Sequence, residues 1–344
     1  MTVCYFGIYD PVFGRNRVYR KGLTENGHAV LDCLDRSRGI TKFWRLWRKH
    51  RALPPYDVMV VGYPGHLIVP FAKLIARGPV VADLLGSLED AETLSHGAGF
   101  WRRVKSALID RLAVYFADIV LLESEAQESF FENKFGSSGK YRVLYTGADD
   151  SVFRCDSERI EERFVVLFRG RLTPESGILH VLEAARLLKN DPLITFRIVG
   201  AGPLLSRARE TITKANLMNV ELITERLSEE RLRALMCEAA LSLGQLSDNP
   251  RLSRTIPHKA FESFALGIPY LSGDTPAIRE AVRDGETGFL VPSVSPEALA
   301  KKIQELRANP ALLRRVGEAA NTEFTSRFSP GALADALLSM LRKN

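Results

Sequence analysis

One pattern constrains this chain more than any other. Short runs rich in Val, Ile, Leu and Phe alternate with longer amphipathic runs along nearly its whole length. Runs at 2–8, 28–33, 57–62, 79–84, 118–122 and 142–145 have the length and content of strands, and helical periodicity fills 16–26, 41–52, 66–77, 98–116 and 125–135. Strands that are apolar throughout need cover on both faces, and a strand–helix–strand order lays them parallel. After a polar, linker-like stretch at 145–163 the alternation resumes. Strands are expected at 164–169, 194–199, 219–223, 240–244, 268–272 and 288–292. Helices are expected at 177–189, 203–215, 228–237, 257–266, 276–283, 295–307 and 310–327. A last helix starts with Ser329 as N-cap and Pro330 in its first turn. The chain's 344 residues exceed the ~250–300 at which single cores stop growing. The expected fold class is therefore α/β, with two doubly wound Rossmann-like domains facing each other across a cleft. Domain limits are read at 1–157 and 158–327, with 328–344 as a C-terminal helix packing back on the first domain. Such sheets bind ligands beyond the C-terminal ends of their strands.

Composition excludes other classes. With 46% hydrophobic and 26% charged residues the chain is globular. No stretch approaches the ~18 apolar residues of a membrane span, and "MTVCYFGIYD" reads as a first strand rather than a signal peptide. Cys4, Cys33, Cys155 and Cys237 lie far apart with no Cys-x-x-Cys spacing. Neither a zinc site nor a disulfide is expected, which fits a reducing, cytoplasmic location. The net charge of +6 is unevenly spread. Residues 36–51, "RSRGITKFWRLWRKHR", carry seven Lys/Arg, one His and no acid, interleaved with Phe43, Trp44, Leu46 and Trp47. A weaker cluster is "GFWRRVK", 99–105. Indoles among cations suit an anionic membrane surface, here the inner face of a membrane. The plainer reading is a solvated basic helix whose aromatics are core. No nucleic-acid-binding motif accompanies the charge, so nucleic acid is not an expected partner.

The motifs sit at strand tips. In "VVLFRGRLTPESGI", 165–178, an apolar run ends in Arg169-Gly170-Arg171, and Ser176-Gly177 precede a helix. Glycine admits close backbone approach, a helix start favours anions, and an arginine fork grips phosphate. Alone, the segment also suits an ordinary turn with solvated arginines. "IVGAGP", 198–203, repeats the arrangement with Gly200 and Gly202 but lacks the spacing of a dinucleotide fingerprint. In "IPHKAFESFALGIPYLSGDTPAIREAVRDGETGFLVP", 256–292, Lys259 and Glu262 stand at i and i+3 of one helix. A lysine at a helix start can meet phosphate, and a carboxylate can accept from two ribose hydroxyls. A surface ion pair of little energetic value is the plainer alternative.

These segments resemble those of the retaining glycosyltransferases of family 4, which have a GT-B fold. The resemblance covers most of 120–327. It includes "FRGRLTPESGILHVLEAARLL", "FRIVGAGP", "FESFALGIPYLSGDTPAIREAVRDGETGFLV" and the interdomain-like Gly147, Asp149 and Phe153 of "VLYTGADDSVF". It implies a nucleoside diphosphate sugar as donor substrate, no cofactor and no metal, and a saccharide or lipid-linked acceptor. Arg171 is implied to bind the diphosphate and Glu262 the ribose; Gly170, Gly200 and Lys259 are candidates beside it from their own chemistry at strand tips and a helix start. The backbone at Arg226 and Leu227 is implied to face the base. The amides at Thr275, Pro276 and Ala277, with Gly14, are implied to approach the diphosphate. The sequence departs from the family at two donor positions: Ser176 stands where the family has lysine, and Arg254 where it has a glutamate. Losing that lysine forfeits a charge-assisted contact of ~1.5–3 kcal/mol, which Lys259 or Arg254 would have to replace. A transferase is the leading expectation. A relative that binds nucleotide sugar without transfer, or another GT-B enzyme such as an epimerase or phosphorylase, is the alternative. In the first half, Arg15, Asn16, His66 and Asp83 lie at strand tips and are the acceptor-side candidates, with Glu89 near the fourth strand's end.

Overall fold

The computed structural model describes residues 1–94, 99–155 and 163–342. The chain divides into two compact units, Met1–Ala148 with Phe328–Asn344, and Asp149–Arg327. The expected boundary between 157 and 158, and the first residue of the helix expected at 98–116, lie outside the described residues.

In unit 1 the chain runs β1 (Thr2–Gly7), α1 (Gly14–Glu25), β2 (Ala29–Leu34), α2 (Thr41–Arg51), β3 (Val58–Val61), α3 (Val69–Ile75), β4 (Val80–Leu85), α4 (Leu88–Leu94), α5 (Phe100–Phe116), β5 (Ile119–Leu122), α6 (Glu125–Phe135) and β6 (Tyr141–Val143). The six strands pair in parallel in the order β2-β1-β3-β4-β5-β6. The side chains of a strand alternate between faces. Cys4 and Phe6 of β1 therefore join a core with residues of α2, α3, α5 and α6. Val3 and Tyr5 join a second core with α1 on the opposite face. The helix at 88–94 has no counterpart among the expected elements. None of its residues is buried, so it leaves no apolar stripe in the sequence.

Unit 2 continues with β7 (Phe164–Arg169), α7 (Ile178–Leu187), β8 (Ile194–Val199), α8 (Leu205–Lys214), β9 (Val220–Ile223), α9 (Glu229–Cys237), β10 (Leu241–Leu243), α10 (His258–Ala265), β11 (Tyr270–Gly273), β12 (Phe289–Val291), α11 (Pro296–Arg307) and α12 (Pro310–Glu323). Its parallel sheet has the order β12-β11-β10-β7-β8-β9. The helix expected at 276–283 is a single 3-10 turn, Ile278–Glu280. The chain closes a tight turn at Gly285, whose amide bonds the Gly288 carbonyl, and enters β12 before a second helical turn can form. The expectation of unpaired cysteines is also overturned: Cys155 and Cys237 form a disulfide. They are 82 residues apart, and only the tertiary fold brings the end of α9 to the segment after Phe153.

The chain returns to unit 1 through a π-helical turn, Phe324–Phe328, and ends in α13 (Pro330–Arg342). Leu333, Ala334, Leu337 and Leu338 of α13 enter the core shared by Val18 and Leu23 of α1. Their close approach depends on Gly22, where a Cβ would lie 1.8 Å from the Pro330 carbonyl oxygen. Asn26 ties the end of α1 to α13 by donating to the Gly331 carbonyl at 3.0 Å and to Asp335 at 2.7 Å.

Candidate functional site

In unit 2 a cavity of about 430 Å3 opens over the C-terminal tips of β7, β8 and β9. Arg169, Gly170, Arg171, Gly200, Arg226 and Leu227 are among its lining residues. Five of these six are expected donor residues; Arg169 is the addition. Gly170 has φ +126° with open space where a Cβ would stand, so the β7 tip presents bare backbone to the cavity. Gly200 serves a different need. A Cβ there would lie 1.9 Å from the Gly170 carbonyl oxygen, so its bareness lets the two loops touch. Arg171 is exposed on the rim. Arg169 is buried, and its Nε has no hydrogen-bond partner among the described residues. Its Nη2 lies 2.5 Å from Glu262 Oε2.

Sheet order reverses between β7 and β10, and α10 lies over that crevice. Lys259 and Glu262, one turn apart on α10, both face it. Lys259 donates from Nζ to the Arg169 carbonyl at 3.3 Å and the Gly244 carbonyl at 3.1 Å, and lies over the Phe168 ring. It therefore joins the tips of β7 and β10 and does not line the arginine cavity. Burial first, and then the Arg169 charge, push its pKa down to about 7, with Glu262 opposing in part. The unfolded chain holds this proton up to the ordinary value of 10.5. Between those two values the unfolded state binds more protons, so stability rises with pH. Lys259→Met removes the titration. The variant's melting temperature relative to wild type is therefore expected to fall by several degrees from pH 6.5 to pH 9.5. Parallel melting curves across that range would show that Lys259 does not titrate there.

The remaining donor candidates are held within the protein. Ser176 is buried, donates to the Thr173 carbonyl at 2.6 Å and accepts from the Ile178 amide at 3.4 Å. Its hydroxyl shapes the turn into α7. Arg254 is half-buried after the 3-10 turn Pro250–Ser253 and does not line the arginine cavity. The expected set of amides at 275–277 is corrected. Pro276 has no N–H, and the Ala277 amide donates to the Ser253 carbonyl at 3.2 Å. A larger cavity of about 910 Å3 near Cys155, Leu266 and Arg314 contains none of the candidates.

In unit 1, three acceptor-side candidates prove to be internal framework. Arg15, Asn16 and Asp83 are fully buried, so none can touch an acceptor. Arg15 donates from Nε to both Asp83 oxygens at 2.8 and 2.9 Å, and from Nη1 to the Leu144 carbonyl at 2.7 Å. Burial draws the guanidinium pKa down, but Asp83, Tyr19 and Glu123 more than offset it and hold it above arginine's ordinary value. Asn16 spans the β1/β3 order reversal. It donates to the Asp10 carbonyl at 3.0 Å and the Tyr63 carbonyl at 2.6 Å, and accepts from the Tyr63 amide at 3.1 Å. His66 is also buried. A carbonyl can only accept, so its Nε2 proton is committed to Gly86 at 2.9 Å. Glu89 is paired with Lys134 at 2.5 Å. Gly14 opens α1 and is half-buried.

The model of the family "Glycosyl transferases group 1" matches residues 151–323, just over half of the chain. An exopolysaccharide phosphotransferase of Streptomyces coelicolor is 31% identical over 219 residues, which are 62% of this chain and 22% of that protein. A GDP-mannose-dependent alpha-(1-6)-phosphatidylinositol monomannoside mannosyltransferase of Mycolicibacterium smegmatis is 26% identical over 79% of this chain and 73% of its own. The chain spans about half or less of several other curated relatives, at 47%, 52% and 43% of their lengths. Among solved structures, Anabaena Alr3699/HepE in complex with UDP and glucose aligns with a TM-score of 0.74 at 18% identity, over the whole of both chains. That likeness is one of fold, the GT-B fold with its two Rossmann-like units. By the match over its second unit, the chain belongs to the glycosyl transferases group 1 family.

Proposed function

We propose that this chain is a retaining, metal-independent glycosyltransferase of the family 4 type. It moves a sugar from a nucleoside diphosphate sugar to a lipid-linked or envelope saccharide at a membrane surface. The observation that carries the reading is the cavity over β7–β9, where two arginines and the bare Gly170 backbone converge. The diphosphate lies against Arg169 and Arg171, and the base against the backbone of Arg226 and Leu227. Glu262 has a second oxygen, Oε1, beyond its pair with Arg169, for the ribose hydroxyls. In the reaction the bond from the anomeric carbon to the diphosphate oxygen breaks. The acceptor oxygen bonds to that carbon from the same face, and its proton passes to the departing diphosphate. Positive charge held in place beside the leaving group stabilises the charge that develops there. UDP and GDP sugars are the first donors to test, because the structural neighbour binds UDP and the mycobacterial relative is GDP-mannose-dependent.

One observation favours a second reading, a protein that binds nucleotide sugar without transferring it. Ser176 is turned inward where the family has lysine, and Lys259 is engaged with two carbonyls instead of the cavity. A panel of UDP, GDP and ADP sugars incubated with the chain and membrane extract separates the two. Release of nucleotide with label transferred to lipid or polysaccharide supports the transferase. Tight binding with neither release nor transfer would leave the second reading standing.

A further inference from the structure

The helices over one face of the unit 1 sheet carry an apolar surface that the core does not use. Along α5, Trp101, Val104, Leu108, Leu112 and Tyr115 are all exposed, Trp101 at 81% and Tyr115 at 76%. At ~100° per residue these five fall within an arc of about 80°, spread over about 21 Å of helix. The residues that α5 buries, Ser106, Asp110, Ala113 and Val114, fall on the opposite side. The helix thus turns small and polar residues toward the sheet and its largest apolar side chains away from it. Next to it, α3 exposes Leu74. One turn before Leu74, Phe71 packs against Phe43 of α2, with ring centroids 5.2 Å apart. There α2 buries Leu46 and His50 and exposes Trp44 at 57% and Trp47.

The exposed charge on α2, α3 and α5 themselves is all positive. Lys105 and Arg111 border the α5 stripe, and neither has a carboxylate partner among the described residues. Arg48 and Arg51 stack on Trp44 and Trp47. No acidic residue occurs in α2 or α3, and the only one in α5 is the buried Asp110. Three nearby carboxylates are paired with cations, Glu89 with Lys134, Glu92 with Arg102 and Asp118 with Lys73. A second copy of the chain seated on this face would bring like charges together. An anionic bilayer meets the same face with opposite charge and accepts the indole, phenol and leucine side chains into its headgroup layer.

We infer that α5, with α2 beyond α3 on the same side of the sheet, lies in the plane of an anionic lipid surface and docks unit 1 there. This rests on the membrane-surface reading proposed above and moves the principal anchor from 36–51 to Phe100–Phe116. The experiment is flotation of the full chain with vesicles of phosphatidylglycerol and phosphatidylcholine, against vesicles of phosphatidylcholine alone. Wild type is expected to float only with the anionic vesicles. Trp101→Ala/Leu108→Ser/Tyr115→Ala is expected to lose at least roughly tenfold in partitioning, and Lys105→Glu/Arg111→Glu to lose it in a salt-dependent way. Trp44→Ala/Trp47→Ala is expected to lose less than the triple variant. All sites are exposed, and an unchanged melting temperature and circular-dichroism spectrum of each variant verifies the fold. Undiminished flotation of the triple variant would overturn the inference. So would a concentration-dependent dimer, abolished by the same substitutions, in a protein that binds no vesicles. A wild type that transfers sugar but ignores vesicles sinks the docking and leaves the transferase. One that floats but releases no nucleotide does the reverse.

Discussion

Replacing Asp83 with alanine is expected to destabilise unit 1 by about 3–5 kcal/mol, the usual consequence of stranding one member of a buried ion pair. Arg15 is completely enclosed, and its pair with Asp83 joins the start of α1 to β4. Its Nη1 reaches on to the Leu144 carbonyl and, at 3.3 Å, to the Thr146 hydroxyl just beyond β6. Without the carboxylate, a guanidinium that stays protonated loses its bonded countercharge at the place where three segments meet, and only the more distant Glu123 remains. Burying an isolated charge is far costlier than burying a matched pair. The double variant Arg15→Met/Asp83→Leu is therefore expected to recover most of the loss, because it removes both charges and keeps side-chain volume. Urea unfolding of wild type, single and double variants measures this directly. If Asp83→Ala shifts the midpoint no more than an exposed substitution such as Arg38→Ala, the pair does not hold unit 1 together. A loss in the double variant equal to that of the single would attribute the effect to packing instead of charge.

The strand–helix order was legible because strands covered on both faces leave unbroken apolar runs, and β7 and β8 begin and end where those runs do. Depth was not. Arg15, Asn16 and Asp83 stand at strand tips, where ligands bind in such folds, yet each is turned inward to join neighbouring loops. Asn16 in unit 1 and Lys259 in unit 2 play parallel parts. Each spans the crevice where strand order reverses and satisfies backbone groups that would otherwise be unpaired. A sequence reports the type of a polar residue but not whether its partner is protein or ligand. Arg169 went unassigned although a signal existed. A cation closing an apolar strand needs a nearby carboxylate, and Glu262 shares a helical face with Lys259. The exposure of Trp44 and Trp47 follows from the stripe at Phe43, Leu46 and His50, which already supplies the core-facing side of α2. The outer stripe of α5 was hidden for the opposite reason. With Ser106 and Asp110 on its buried side and large apolar residues on its exposed side, its apolar periodicity points away from the core face.

Arg171→Ala is expected to weaken UDP or GDP binding more than tenfold while leaving uridine or guanosine binding nearly unchanged. A charge-assisted bond to phosphate is worth ~1.5–3 kcal/mol, and the nucleoside has no phosphate to lose. Arg171 is exposed on the cavity rim, so its removal strands no buried group. Arg169→Ala should differ in kind. Its guanidinium lies against Glu262, so the variant loses diphosphate affinity and also leaves that carboxylate, with 19% of its side chain exposed, without its cation. Diphosphate and nucleoside binding should then both fall, and the melting temperature with them. Adding Glu262→Gln to Arg169→Ala should restore the melting temperature but not the diphosphate affinity. Calorimetric titration of the variants with the diphosphate and the nucleoside, alongside thermal unfolding, resolves these patterns. Equal losses for the two ligands in Arg171→Ala would mean that this arginine shapes the loop and does not grip the diphosphate. An Arg169→Ala protein that melts like wild type would show that the pair with Glu262 contributes nothing to the fold. Arg169 would then serve the ligand alone.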